Sequence, residues 1–199
     1  MRTFVIVSGL PASGKSTLAS RLAGALSLPV LDKDTILESI FQSVEVADPE
    51  QRRRLSRQAD LALQQAAWRQ TAAILVSWWR HPRSMEPTGT PIDWLKVPGQ
   101  RVIEVHVVCR PEVAADRFLL RRRHAGHQDD RWSRETLLAL LSRQAPLGPL
   151  FPDRAIRILD DASDPVAHVA AGLRRWLVVG ARAPAMPYGQ SGHTGQDRP

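Results

Sequence analysis

Gly9-Leu-Pro-Ala-Ser-Gly14-Lys15-Ser16 sets two glycines five positions apart and follows the second with an amine and a hydroxyl. The pattern suits a backbone that must wrap around oxyanions. Glycine permits close main-chain approach, and the stretch Pro11, Ala12, Ser13, Gly14, Lys15, Ser16 and Thr17 can aim its amides at a phosphate from a helix N-terminus. Lys15 would span β- and γ-phosphates, and the Ser16 hydroxyl would face Mg²⁺. A second constellation, Val30-Leu31-Asp32-Lys33-Asp34, places two carboxylates around an amine. A carboxylate near a γ-phosphate can accept the proton of an attacking hydroxyl or hold metal-bound water. Asp34 is the candidate base and Asp32 the candidate metal-side group, with capping of the following helix as the bland role for either.

The first stretch matches the Walker A pattern completely, and its context matches too. Thr3 to Ser8 reads as a buried strand before it. Lys15 to about Leu26 reads as a helix after it, with Leu18, Leu22 and Leu26 at helical spacing. Pro29–Leu31 is a short strand and Asp32–Phe41 a helix. Pro49 to about Gln70 is a long helix opened by Pro and Glu, free to pack on the sheet or on a second subunit. Ala72–Trp79 and Arg101–Cys109 are strands. Pro111–Arg123 and Ser133–Arg143 are helices, Ile156–Leu159 the last strand and Asp164–Val179 the closing helix. Strands alternating with helices predict a parallel sheet covered on both faces. The chain from Ala181 onward, rich in Pro, Gly, Gln and Ser, is expected to be a disordered tail after a domain spanning 1–180.

Two further clusters carry chemistry. Arg117, Arg121, Arg122 and Arg123 would share one side of the helix from Pro111, where i and i+4 are neighbours. Guanidinium groups there could meet the charge that spreads over the γ oxygens during transfer. Trp78, Trp79 and Trp94 gather with Arg80 and Asp93 around a loop, His81 to Gly99, that holds four of the 15 prolines. Large aromatics with a few polar groups suit a small organic ligand, so an acceptor pocket is expected from these five residues and Asp34.

The bulk numbers narrow the class. The 199 residues carry a net charge of +7, from 24 Arg and 3 Lys against 20 acidic residues. Basicity admits nucleic acid as a partner, but no polymer-binding signature accompanies it. No run approaches the roughly 18 apolar residues of a membrane span. The lone Cys109 makes no internal disulfide, which points to a reducing, cytoplasmic setting. An Asn-Lys-x-Asp base-reading motif is absent, which argues against a GTPase. The strand AILVSWW ends without the carboxylate a motor ATPase would carry.

"VSGLPASGKSTLA" followed by "LPVLDKDTILESIF" resembles the small P-loop kinases grouped with chloramphenicol phosphotransferase, polynucleotide 5′-kinase and the zeta-toxin kinases. The resemblance implies an α/β fold of the P-loop NTPase, nucleoside-monophosphate-kinase-like kind. That is a three-layer sandwich with a five-stranded parallel sheet and a small helical lid, here about 121–132. It implies Asp34 as catalytic base, with Lys15, Arg117 and Arg121 at the transferred group and Arg117 and Arg123 at the nucleotide, Arg123 as an adenine-stacking group. His124 and His127, flanking Gly126, would serve as lid hinge or polar contacts. The polynucleotide kinases place an Arg shortly after the base, whereas Thr35-Ile36-Leu37-Glu38 stands here. The expectation is an ATP-dependent O-phosphotransferase using Mg²⁺, with GTP as the alternative nucleotide. Its acceptor would be a hydroxylated small molecule such as an antibiotic or nucleoside-type natural product. It would act as a monomer or homodimer, without nucleic acid or membrane. The alternatives are a nucleic-acid 5′-end kinase and a non-catalytic nucleotide-binding protein.

Overall fold

The computed structural model describes residues 1–159 and 165–179. Five strands form one all-parallel sheet in the order β2-β3-β1-β4-β5. They are β1 (Arg2–Gly9), β2 (Val30–Asp32), β3 (Ala72–Val76), β4 (Gln100–Val108) and β5 (Ala155–Leu159). The helices are α1 (Lys15–Leu26), α2 (Lys33–Phe41), α3 (Pro49–Trp68), α4 (Pro111–Leu120), α5 (Arg134–Gln144) and α6 (Pro165–Val179).

β1 lies at the centre because it is apolar on both faces. Val5 and Val7 pack with Leu18 and Leu22 of α1 and Val169 and Leu173 of α6. Phe4 and Ile6 pack on the other face with Leu63 and Ala67 of α3 and with Trp79, Ile92 and Leu95. All four β1 side chains are fully buried, as expected of a strand covered by helices on both sides. Truncating one of the large fully buried residues, such as Leu22 or Leu63, would cost about 2–5 kcal/mol. α3 therefore packs within the chain through Leu55, Ala59, Leu63 and Ala67.

Three expected boundaries shift. β3 stops at Val76, because Trp78 and Trp79 leave the sheet to wall a cavity. α4 stops at Leu120, and Arg121 is already extended, with φ −70° and ψ 146°. The helical-face argument for Arg121, Arg122 and Arg123 is thereby corrected, since they leave α4 as extended chain. The expected loop after them contains two short 3₁₀ turns, Ala125–His127 and Asp129–Arg131. The expected tail, 181–199, and the start of the closing helix at Asp164 lie outside the described residues. Among the described residues no helix is long and apolar enough to cross a membrane.

Candidate functional site

The loop between β1 and α1 is shaped by its backbone. Gly9 has φ +131°, and a Cβ there would sit 2.4 Å from the Val107 carbonyl oxygen of β4. Gly14, at φ +93°, caps α1 without any side-chain cap, so the first-turn amides stay unbonded by side chains and open to an anion. Ala12 also holds a left-handed φ of 58°. Ser13 Oγ is buried and has no hydrogen-bond partner among the described residues, as suits a hydroxyl in a phosphate cradle. Lys15 is buried, and its Nζ donates to the Leu10 carbonyl at 2.6 Å. Burial lowers its pKa to about 8, against the pull of Asp34 and Asp32.

β2 delivers the second constellation to the same edge of the sheet. Asp32 caps α2, with Oδ1 accepting from the Asp34 amide at 2.9 Å. Its Oδ2 accepts from the Ser16 hydroxyl at 2.6 Å. Burial pushes the Asp32 carboxyl above its ordinary range, in spite of those bonds. Capping and metal-side placement are thus compatible in this residue. The Ser16 and Asp32 oxygens fit a hard cation that keeps waters and nucleotide oxygens in its remaining positions.

Asp34 is exposed on the first turn of α2, and its Oδ2 meets Arg123 Nη1 at 2.5 Å. Arg123 also grips Asp129 with two bonds of 2.9 and 3.0 Å. Arg121 reaches Asp129 at 3.3 Å and lies over the Phe118 ring. Burial opposes ionisation of Asp129, but Arg123 and Arg121 hold its carboxyl below the usual range. The segment 121–132 is moored to α2 and α3. Arg52 Nε donates to the His127 carbonyl at 2.9 Å, and His127 Nε2 lies 3.0 Å from Glu38. Phe41 stacks on His124 and meets His127 edge-on, and a Cβ on Gly126 would lie 2.7 Å from the Phe41 ring. The two histidines thus contact α2 through Glu38 and Phe41.

The expected residues divide. Pro11 to Thr17, Asp32, Asp34, Arg121 and Arg123 converge at the carboxyl edge of β1 and β2. Arg117 stands at the end of β4, with Nη1 3.9 Å from Cys109 Sγ. Arg123, expected against adenine, sits instead between Asp34 and Asp129, because the chain turns back after Leu120. Trp78 and Trp79 line a cavity beside Gly9 and Leu10. Arg80, Asp93 and Trp94 do not line it. Arg80 is exposed and donates to the Pro87 carbonyl. Asp93 is exposed and pairs with Lys96. Trp94 packs on Phe4, Trp68 and Trp79, with Phe4 near the strand's amino end. The loop is long enough to run from one end of the sheet to the other, so sequence proximity to Trp78 did not bring them together.

Several neighbours of the site carried no sequence signal. Lys33 Nζ pairs with Asp60 of α3 at 2.6 Å. Asp60 also accepts from Thr90, which bonds Ser77 at 2.6 Å. A carboxylate thereby reaches the end of β3, where the sequence shows none. Arg52 and Asp129 likewise join only through tertiary contact.

The sheet order, the glycine-shaped loop and the carboxylates beside it define a nucleotide-binding protein with the P-loop kinase fold. Residues 4–147 match the AAA_33 family, an AAA domain, and the chain belongs to that family. It is similar in structure to a candidate kinase of Chloroflexus aurantiacus J-10-fl, with 25% identity and a TM-score of 0.68, covering 87% of this chain and 97% of that one. It shares its fold with a shikimate kinase of Bacteroides thetaiotaomicron, at 17% identity, TM-score 0.53 and coverage of 88% and 98%. The same holds for a gluconokinase of Sinorhizobium meliloti 1021, at 16% identity, TM-score 0.50 and coverage of 92% and 100%. No curated protein sequence matches it.

Proposed function

We propose that this chain is an ATP-dependent O-phosphotransferase that moves the γ-phosphoryl group to a hydroxyl of a small molecule. The observation that carries the reading is the meeting of Lys15, Ser16, Asp32 and Asp34 at one edge of the sheet, with Ser16 and Asp32 2.6 Å apart. Loop amides and Lys15 hold the triphosphate tail. Ser16 and Asp32 would hold Mg²⁺, which when bound neutralises phosphate charge. The acceptor hydroxyl attacks the γ-phosphorus, a new P–O bond forms, the bond to the ADP oxygen breaks, and Asp34 takes the hydroxyl proton. Arg121 and Arg123, with Arg117 nearby, face the charge of the transferred group. Arg123 must shift part of its grip from Asp34 to phosphate oxygens as the acceptor enters.

Glu38 supports a small-molecule acceptor over a nucleic-acid end. It belongs to the stretch Thr35-Ile36-Leu37-Glu38, which carries no Arg where the polynucleotide kinases place one shortly after the base, and it is engaged by His127. The grouping with chloramphenicol phosphotransferase, polynucleotide 5′-kinase and the zeta-toxin kinases rests on the resemblance of roughly the first 40 residues and, less closely, of Arg101 to Asp130. Labelled ATP and GTP with a panel of nucleosides, hydroxylated antibiotics, sugars and hydroxy acids test the reading. A phosphorylated product is expected from ATP. Asp34→Asn should lower its formation about 10²–10⁴-fold with nucleotide affinity unchanged. Unchanged transfer would remove Asp34 as base, and no product from the panel together with no ATP binding would overturn the reading.

A further inference from the structure

We propose that the cavity beside the phosphate loop is the acceptor's recognition subsite and takes an uncharged, hydroxyl-bearing ring or ring edge. The inference rests on the phosphotransferase reading and names its substrate class. The cavity measures about 90 Å³. At about 30 Å³ of liquid per water it has room for part of a molecule. Gly9 and Leu10 belong to its wall, so its occupant lies against the start of the loop that holds the phosphates.

Among the described residues the wall carries no Asp, Glu, Lys or Arg. Its polar side chains are Ser8, His81, His106, Gln144 and Cys109, whose thiol donates to the Arg110 carbonyl at 3.5 Å, set among Trp78, Trp79 and aliphatic chain. Their hydrogen bonds decide what they can still offer. Ser8 gives its one hydroxyl proton to Glu104, a fully buried carboxylate. Glu104 also accepts from the amides of Leu150 at 3.0 Å and Phe151 at 2.7 Å. Burial alone would raise the Glu104 pKa, but the bonds from His106, Ser8 and the two amides hold it below the usual range, so it stays ionised.

With the Ser8 proton committed, its 2.8 Å contact with His106 Nδ1 requires the imidazole to donate there. In the Nδ1–H tautomer, which both the Ser8 contact and the Glu104 carboxylate 3.6 Å from Nδ1 favour, His106 presents Nε2 as an acceptor, and that nitrogen has no partner among the described residues. Trp78 Nε1 donates to Gln144 Oε1 at 2.9 Å, which leaves the Gln144 amide hydrogens as donors. His81 spends both nitrogens, on the Pro149 carbonyl and the Arg83 amide, and serves as wall. The cavity thus offers one acceptor, one donor and an indole. A hydroxyl can give its proton to His106 while a second oxygen accepts from Gln144. An anion would find no cation among the described residues of the wall, and the Glu104 charge behind Ser8.

The test uses the full chain loaded with MgADP, after its nucleotide Kd has been measured. It is titrated with glucose against glucuronate, and with trans-cyclohexane-1,2-diol against the corresponding diol carboxylate. Imidazole ¹⁵N NMR of the free protein should show His106 as the Nδ1–H tautomer. The neutral member of each pair should bind at least tenfold more tightly and shift the His106 Nε2 resonance. Gln144→Glu, which keeps the acceptor for Trp78 but removes the amide donors, should weaken that binding about tenfold without altering the MgADP Kd. An Nε2–H tautomer, equal or tighter binding of the carboxylates, or no neutral ring bound by the MgADP-loaded protein would overturn the subsite alone. Failure to take MgADP would overturn the phosphotransferase reading instead.

Discussion

The phosphate loop and the cluster around Arg123 meet at one edge of the sheet but are built from different materials. The loop is made of backbone: Gly9 pressed on the Val107 carbonyl, Gly14 in the left-handed region, Lys15 buried against the Leu10 carbonyl. The cluster is made of side chains, with Asp34 half-exposed and Arg123 shared between Asp34 and Asp129. Backbone geometry supported by the sheet is insensitive to salt and holds its shape while ligands come and go. The Arg123–Asp34 pair, half-open to solvent on the Asp34 side, is more readily screened and exchanged. A donor grip that stays fixed beside an acceptor side that can rearrange fits transfer from one constant nucleotide to an acceptor that must enter and leave.

Gly9→Ala should strike the rigid side hardest. Its Cβ has nowhere to go, so urea unfolding should show a loss of at least about 2 kcal/mol, and calorimetry should find nucleotide binding gone. Lys15→Met separates function from stability. Binding of the triphosphate should collapse, yet the ligand-free protein should gain on the order of 1–3 kcal/mol, because a buried ammonium has been removed. The pH dependence follows in sign. The folded-state pKa of Lys15, about 8, lies below its ordinary 10.5, so the unfolded chain binds more protons between those values. Stability from this group therefore rises as pH climbs from 8 to 10.5, and Lys15→Met should lack that rise in urea titrations.

On the adjustable side, Arg123→Ala should reduce transfer about tenfold or more, and added salt should narrow the gap between variant and parent. A variant as fast as the parent at low salt would make Arg123 a lid fastener only. Arg54→Ala, which removes an exposed helix pair with Glu50, should stay within about 0.5 kcal/mol of the parent in thermal unfolding. A larger effect would deny the contrast between surface pairs and the site.

The same division explains what could be read from the chain. Gly9, Gly14, Lys15 and Ser16 are neighbours in sequence and in space, so their purpose was legible without a fold. The placement of Asp34 was legible too, since it follows a strand whose end must reach the same edge. Arg121 and Arg123 were singled out for the wrong geometry: a helical face was expected, but extended chain folds them onto Asp129. Asp93 and Trp94 were misplaced because a 19-residue loop carries them to the other end of the sheet. Asp60, 27 positions from Lys33, gave no pattern to detect.

The amino-acid order by itself determined the strand–loop–helix unit and its anion-binding amides, since glycine conformations and apolar periodicity act over a few residues. Only tertiary structure decided which carboxylate meets which guanidinium, and that Ser8, His106 and Gln144 surround one cavity. Those groups come from β1, β4 and α5, and their distances depend on strand register and helix packing, which no short stretch of chain encodes.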